Sequence, residues 1–257
     1  MINFRKYLPR ALYWYVSRLD HKADVVFMNY GYANPEQKID LHPEEEPNRY
    51  CIQLYHHMTE SIDFRDKAVV EVGSGRGGGL SYIVKRWVPG SAKGIDLCKE
   101  AVWFCNNHYQ TYGLSFLYGN AQNLPLENES CDIVINVESS HRYENFDKFL
   151  SEVHRVLRNG GLFLFADYRS KKKLPNLRKA MESVSLKVLK EETINRQVVS
   201  ALKMDWDRKG QVYKKFAPRF LRSIGFNYAS KIQSKLIENF STDRKIYFNY
   251  ILQKQGV

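Results

Sequence analysis

The chain lacks any run of about twenty uninterrupted apolar residues, so no segment reads as a helix that spans a bilayer. It also lacks, near its first residues, the small-residue cleavage pattern of a secretory signal. Cysteine is scarce: Cys51, Cys98, Cys105 and Cys131 are the 4 among 257 residues, and no two form a C-x-x-C pair. That spacing argues against a disulfide framework and against a thiolate metal site, and predicts reduced packing residues in a cytoplasmic protein with no metal centre. Acids are fewer than bases, 28 against 39, giving a formal net charge of +11. Such an excess suits an acidic substrate, an anionic membrane surface or a nucleic acid, or is simply a lysine-rich solvated surface. The densest basic run, Lys171 to Lys173, comes with no DNA- or RNA-reading motif, so nucleic acid is not the expected partner. There is no internal repeat, low-complexity tract or linker, and the length suits one elaborated α/β domain.

What the chain does have is a glycine-rich stretch that organises the rest. Residues 68–79 read AVVEVGSGRGGG. Val69, Val70 and Val72 suit a buried strand of a parallel sheet. Gly73, Gly75, Gly77, Gly78 and Gly79 allow a sharp turn with backbone close to a ligand. Leu80, Ile83, Val84 and Trp87 then recur at helical spacing. Strand, glycine loop and helix form the opening unit of a nucleotide-type site. Gly73, Gly75 and Gly78 satisfy G-x-G-x-x-G, which a dinucleotide would also use. Glu71 weighs against one, because a carboxylate at the loop's edge repels a pyrophosphate. It favours S-adenosylmethionine (SAM), which carries an ammonium and a sulfonium but no phosphate. The plainer alternative is a solvated acid at a strand end.

The remaining alternation of strands and helices brings candidate groups to one sheet edge. A strand over 92–95 ends in Asp96, about twenty residues beyond the glycines, where a carboxylate can accept both ribose hydroxyls. A helix over 99–112 and a strand over 115–118 lead to Gly119, Asn120, Ala121 and Gln122. There an amide could pair with adenine and the Ala121 N–H meet a ring nitrogen, unless this is a plain polar loop. A fourth strand over 131–137 reaches the same edge at Asn136, and His141 follows just past its end, the position of a functional histidine. His56, His57 and His154 fall on expected helices and rank below it. Phe146, Phe149, Leu150, Val153 and Leu157 mark a helix that Asn159-Gly160-Gly161 should terminate. Strands over 162–166, 186–190 and 245–252 follow, with a helix over 176–183.

Two flanking regions suit the substrate side. Ala11, Leu12, Tyr15, Val16 and Leu19 share a face of a helix beginning after Pro9, which could lie in a lipid interface or pack over a substrate pocket. Asn29-Tyr30-Gly31-Tyr32 follows, and its two rings could cover a sulfonium or be half-buried turn residues. Glu44, Glu45 and Glu46 precede a helix over about 48–61. A mostly helical insertion after Glu192, with Val198, Leu202, Trp206 and Phe216 among its apolar positions, reads as a substrate cap. The expected division is an N-terminal helical or lid segment (1–62), a cofactor-binding core (63–191), the cap (192–243) and a final core strand (244–257).

Taken together, EVGSGRGGG, GIDL, GNAQNLPL, CDIVINVESSH and EVHRVLRNGGLFLFADYR resemble class I SAM-dependent methyltransferases over about residues 66–168. More narrowly, NYGY, EEEPNRYCIQLYHH, NVESSH and ETINRQVVSAL resemble the phthiotriol/phenolphthiotriol dimycocerosate methyltransferases over about 28–202. The resemblance implies a Rossmann-like seven-stranded sheet with one antiparallel strand, N-terminal helices, and the helical cap inserted before the last strand. It implies SAM as cofactor, with S-adenosylhomocysteine as product. Glu71, Gly73, Ser74 and Gly75 would hold the methionine half, with Asp96 and Leu97 at the ribose. Asn120, Ala121 and Gln122 would frame the adenine, Asn136 would lie along the methionine, and Tyr30 and Tyr32 would close over it. Asn120 stands where many relatives have aspartate, and the last fifty-odd residues match the lipid enzymes poorly.

The expected reaction is O-methylation of a hydroxyl on a hydrophobic lipid or polyketide-like acceptor, with His141 as general base. The N-terminal helix would make any peripheral membrane contact. N- or C-methylation of another small molecule or a protein stays open, as does SAM or RNA binding without turnover; oligomeric state is not read from sequence.

Overall fold

The computed structural model describes Arg18, Asp20 and residues 23–37, 39–216 and 222–256, apart from the side chains of 212–228. The expected helix after Pro9 lies outside the described residues, as do the side chains of Phe216, Phe220 and Leu221.

Seven strands form one sheet in the order β3-β2-β1-β4-β5-β7-β6. They are β1 (Ala68–Val72), β2 (Ser91–Asp96), β3 (Leu114–Tyr118), β4 (Cys131–Val137), β5 (Leu157–Ser170), β6 (Leu186–Thr193) and β7 (Lys245–Lys254). β7 runs antiparallel to both its neighbours, while β1 pairs in parallel with β2 and β4. The chain therefore leaves β1 toward one side of the sheet and returns for β4 on the other. That reversal opens a crevice at the carboxyl ends of β1 and β4, where open α/β sheets take ligands.

The helices are α1 (Arg49–Thr59), α2 (Gly78–Trp87), α3 (Lys99–His108), α4 (Phe146–Val156), α5 (Leu174–Ser183), α6 (Asn195–Met204), α7 (Trp206–Phe216) and α8 (Arg222–Ser241). They cover both sheet faces, which explains why the central strands read as unbroken apolar runs. One core joins Leu54, Tyr55, Leu80, Phe104, Val198 and Phe240 to Val69 and Ile133. The other joins Phe149, Leu150, Val153, Leu177 and Met181 to Val70, Val72 and Phe163. Neighbouring residues of β1 thus serve opposite cores, as the period of two requires. Asn145 caps α4, its side chain accepting from the Lys148 N–H at 2.9 Å.

Several boundaries differ from the sequence expectation. α4 ends at Val156, and Leu157, fully buried, already pairs with Cys131 as the first residue of β5. Asn159-Gly160-Gly161 is therefore an irregularity inside the strand, where the register shifts, and not a helix stop. α3 stops at His108, short of the expected 112. β6 continues to Thr193, so the helices before β7 begin at Asn195.

Candidate active site

Glu71 lies in β1 one residue before its end, with no exposed surface. The reading of a solvated strand-end acid therefore fails. Tyr55 of α1 donates its hydroxyl to Glu71 Oε1 at 2.7 Å, while the buried Oε2 has no partner. Burial pushes the carboxyl up to about 8. Tyr55 reaches it only because Gly79 lacks a side chain: a Cβ there would lie 1.9 Å from the tyrosine ring.

Beyond β1 the glycine loop turns through Gly73 at φ +75, with its N–H on Ile95 O at 2.7 Å. A Cβ at Gly73 would lie 2.5 Å from Ser139 Oγ and 2.9 Å from Tyr143 OH, so backbone there meets the segment that follows β4. Asn136, fully buried, donates to Val72 O at 2.8 Å and Ser139 Oγ at 2.7 Å, and its Oδ1 has no partner. Arg76, though inside the loop, is 1% exposed. It donates to Asp20 O at 2.7 Å, and its guanidinium lies 3.6 Å from the centre of the Phe104 ring. The loop's own cation is thus committed to the N-terminal segment.

Next to Gly73 is a cavity of about 200 Å³. Gly73, Asp96, Leu97, Asn120, Ala121 and Gln122 line it, bringing six residues of the expected cofactor set together. Asp96 accepts from the Gly75 N–H and the Cys98 N–H, each at 2.9 Å, which fixes the carboxylate at the end of β2. Asn120 Oδ1 accepts from the Gln122 N–H at 2.9 Å, and Gln122 Oε1 from the Asn145 N–H at 2.7 Å. Both amides therefore shape the loop as well as face the cavity. Tyr143 and Glu144 also line it and were not among the expected residues. They follow His141 in sequence, and nothing in RYE marks them as cofactor contacts.

These groups fit SAM. Glu71 Oε2, Asn136 Oδ1 and Ser74 Oγ are buried, partnerless and able to accept from an ammonium. Asp96, which lines the cavity, suits ribose hydroxyls. Arg76, the cation within the loop, is turned onto Asp20 and so does not face a pyrophosphate there.

A second group of polar residues lies past β4. His141 sits in a single 3-10 turn (Ser140–Arg142), with Nδ1 2.8 Å from Asp167 Oδ1. Asp167 is fully buried and also accepts from Ser140 Oγ at 2.6 Å and the His141 N–H at 3.0 Å. Burial alone would raise its pKa, but His141, Arg169 and these hydrogen bonds hold it well below the usual carboxylate range. Tyr168 OH lies 3.2 Å from His141 Nε2 and 3.4 Å from Tyr30 OH. Glu138, in a left-handed conformation at φ +46, accepts from the Tyr30 N–H at 2.7 Å and from Tyr247 OH at 2.8 Å. Burial raises that carboxyl to about 7.

Tyr30 thus belongs to this group, and Tyr32 does not. Tyr32 is 2% exposed and stacks on His57 at 4.3 Å beneath α1. Gly31, at φ +91, breaks the extended run between them, so their spacing no longer puts both rings on one side. Asp167, Tyr168, Glu138 and Tyr247, which join this group, were not among the expected candidates. Asp167 alone carried a signal, as an acid at the carboxyl end of a central strand. His56 and His57 have structural partners, in Tyr82 at 2.8 Å and Glu192 at 2.8 Å.

The methyltransferase domain family matches residues 70–165. A fatty-acid O-methyltransferase of Mycolicibacterium smegmatis is 39% identical over 249 residues, 96% of this chain and 90% of that protein. A probable phthiotriol/phenolphthiotriol dimycocerosates methyltransferase 2 of Mycobacterium ulcerans is 36% identical over 219 residues, 84% of this chain and 85% of that protein. Among solved structures, a geranyl diphosphate C-methyltransferase from Streptomyces coelicolor, in complex with Mg2+, geranyl diphosphate and S-adenosyl-L-homocysteine, superposes with a TM-score of 0.70. It is 15% identical, and the match covers 97% of this chain and 98% of that one, a likeness of fold. With the sheet order, the glycine loop and the cavity beside it, these findings define the protein: it belongs to the class I SAM-dependent methyltransferases. Its cofactor is SAM.

Proposed function

We propose that the protein transfers the methyl group of SAM to an oxygen of a hydrophobic lipid or polyketide-like acceptor, with His141 as general base toward an acceptor hydroxyl. Bound SAM supplies a methyl on a sulfonium whose leaving group is a neutral thioether. The chain's task is to align the acceptor, exclude water and remove a proton. Glu71, Gly73, Ser74, Gly75 and Asn136 would hold the methionine half. Asp96 and Leu97 would hold the ribose, and Asn120, Ala121 and Gln122 the adenine. Tyr30 would cover the cleft on the acceptor side.

The observation that carries the reading is the His141–Asp167 pair at 2.8 Å. An ionised carboxylate only accepts, so Nδ1 holds the proton and Nε2 keeps a lone pair for catalysis. The imidazolium formed by proton transfer stays beside a buried anion. A lipid acceptor is supported by the two named mycobacterial relatives, which align over most of the chain. No helix among the described residues is long and apolar enough to cross a membrane. We propose a cytoplasmic enzyme that meets lipid peripherally.

A second reading is favoured by Arg142, whose Nε lies 3.2 Å from His141 Nε2. A guanidinium there suits an acceptor carboxylate, which needs no base because it is already an anion. His141→Ala separates the two. For a hydroxyl acceptor, kcat should fall by about 10²–10⁴ with SAM affinity unchanged. A wild-type rate in a variant that binds SAM normally would overturn the base assignment.

A further inference from the structure

The hydroxyl of Tyr168 lies beside the imidazole of His141. His141 Nε2 has two neighbours, Tyr168 OH at 3.2 Å and the exposed Arg142 Nε at 3.2 Å. Since Nδ1 is engaged by Asp167, neutral Nε2 can only accept; the exposed Arg142 Nε–H donates to it, and the Tyr168 hydroxyl is the second donor within reach. The Tyr168 oxygen is in turn 3.4 Å from Tyr30 OH, a long contact that a better-placed donor would displace. The Tyr168 ring is held by packing, with ring centres 5.6 Å from Tyr30 and 5.7 Å from Phe240. Asp167 and Tyr168 are consecutive in β5, so one strand end holds both nitrogens of the imidazole.

The geometry points to Tyr168 as a catalytic residue that relays the acceptor's proton to His141, an inference that rests on the hydroxyl-methylation reading above. An acceptor hydroxyl would take the place of the Tyr30 hydroxyl as donor to the Tyr168 oxygen. As the new oxygen–methyl bond forms, the methyl–sulfur bond breaks and its electron pair stays on sulfur. The acceptor's proton passes to the Tyr168 oxygen while the tyrosine's own proton passes to His141 Nε2. Tyrosine is regenerated, and the proton rests on an imidazolium beside Asp167. Burial raises the Tyr168 hydroxyl to about 12, which suits a group that exchanges protons in one concerted step and does not ionise alone. Either route needs Arg142 to turn away from Nε2, but direct attack on the acceptor's proton would require the Tyr168 hydroxyl to leave as well.

The test is Tyr168→Phe beside His141→Ala, assayed with SAM and the methyl ester of a long-chain hydroxy acid, which offers a hydroxyl and no carboxylate. The relay predicts a fall in kcat of about tenfold or more in both variants, with SAM affinity unchanged. It also predicts, for the wild type, a curved dependence of rate on the fraction of heavy water, because two protons move together. A Tyr168→Phe enzyme as fast as or faster than wild type, with His141→Ala still impaired, would overturn the relay and leave His141 as the direct base. A straight heavy-water dependence would also overturn the relay. Full activity of His141→Ala, or transfer to a free fatty acid with none to the hydroxy ester, would overturn the underlying reading as well.

Discussion

Glu71 was legible from sequence as an acid in the wrong place for a phosphate. Its burial was not, because the group that makes burial tolerable, Tyr55, lies sixteen residues upstream on another element. With a folded-state value near 8 against an ordinary 4.5, the carboxyl binds a proton more tightly in the folded chain. Its contribution to stability is therefore full below about pH 4.5 and is lost as pH rises through 8. Without SAM, the melting temperature of the wild type should fall more steeply from pH 5 to pH 8 than that of Glu71→Gln. The glutamine stays neutral and can still accept from Tyr55. At about 1.4 kcal/mol per pKa unit, the difference accumulates to a few kcal/mol at most. Glu138 titrates in the same direction in both proteins, so it does not produce the difference. Parallel melting curves would contradict the assignment. His141 was also legible, from its position past a central strand, but its partners were not. Asp167 and Tyr168 reach it across the β4–β5 pairing, which only the sheet order reveals.

At the scale of elements, the central strands β1, β4 and β5 were readable because burial on both faces gives β-branched and apolar runs ended by polar residues. β6 was less so, since it is an edge strand, LKVLKEET, with mostly exposed residues, and it continues past the expected end. Asn159-Gly160-Gly161 misled for a physical reason. Glycines that commonly close a helix also serve a strand irregularity, and the buried Leu157 before them decides between the two. The meeting of α1, β1 and α2 yields a further prediction. In Gly79→Ala the new methyl would lie 1.9 Å from the Tyr55 ring and 2.4 Å from its hydroxyl, so α1 and α2 must move apart or Tyr55 must leave Glu71. We expect a loss of about 1–3 kcal/mol in a denaturant melt, together with weaker SAM binding. An unchanged melt would show that this packing does not hold the helix pair.

At the scale of the whole molecule, the sheet reversal between β1 and β4 brings residues far apart in sequence to one edge: Asp96 and Gln122 at the cavity beside Gly73, His141 and Asp167 past the end of β4. The helices between β6 and β7 and the segment through Tyr30 flank the other side. Fold and cofactor were legible because a short, dense motif carries them. The acceptor was not, because apolar specificity is spread over elements with no fixed spacing. The central claim is methyl transfer to an oxygen of a lipid acceptor. Its most direct test is incubation of the purified protein with methyl-labelled SAM and native lipid, protein and small-molecule fractions side by side, followed by mass spectrometry of the labelled product. The account predicts label in the lipid fraction, on oxygen as a methyl ether, or as a methyl ester if the acceptor is a carboxylate, and loss of ether formation with His141→Ala. Label confined to protein or to small polar molecules, or attached to nitrogen or carbon, would contradict it.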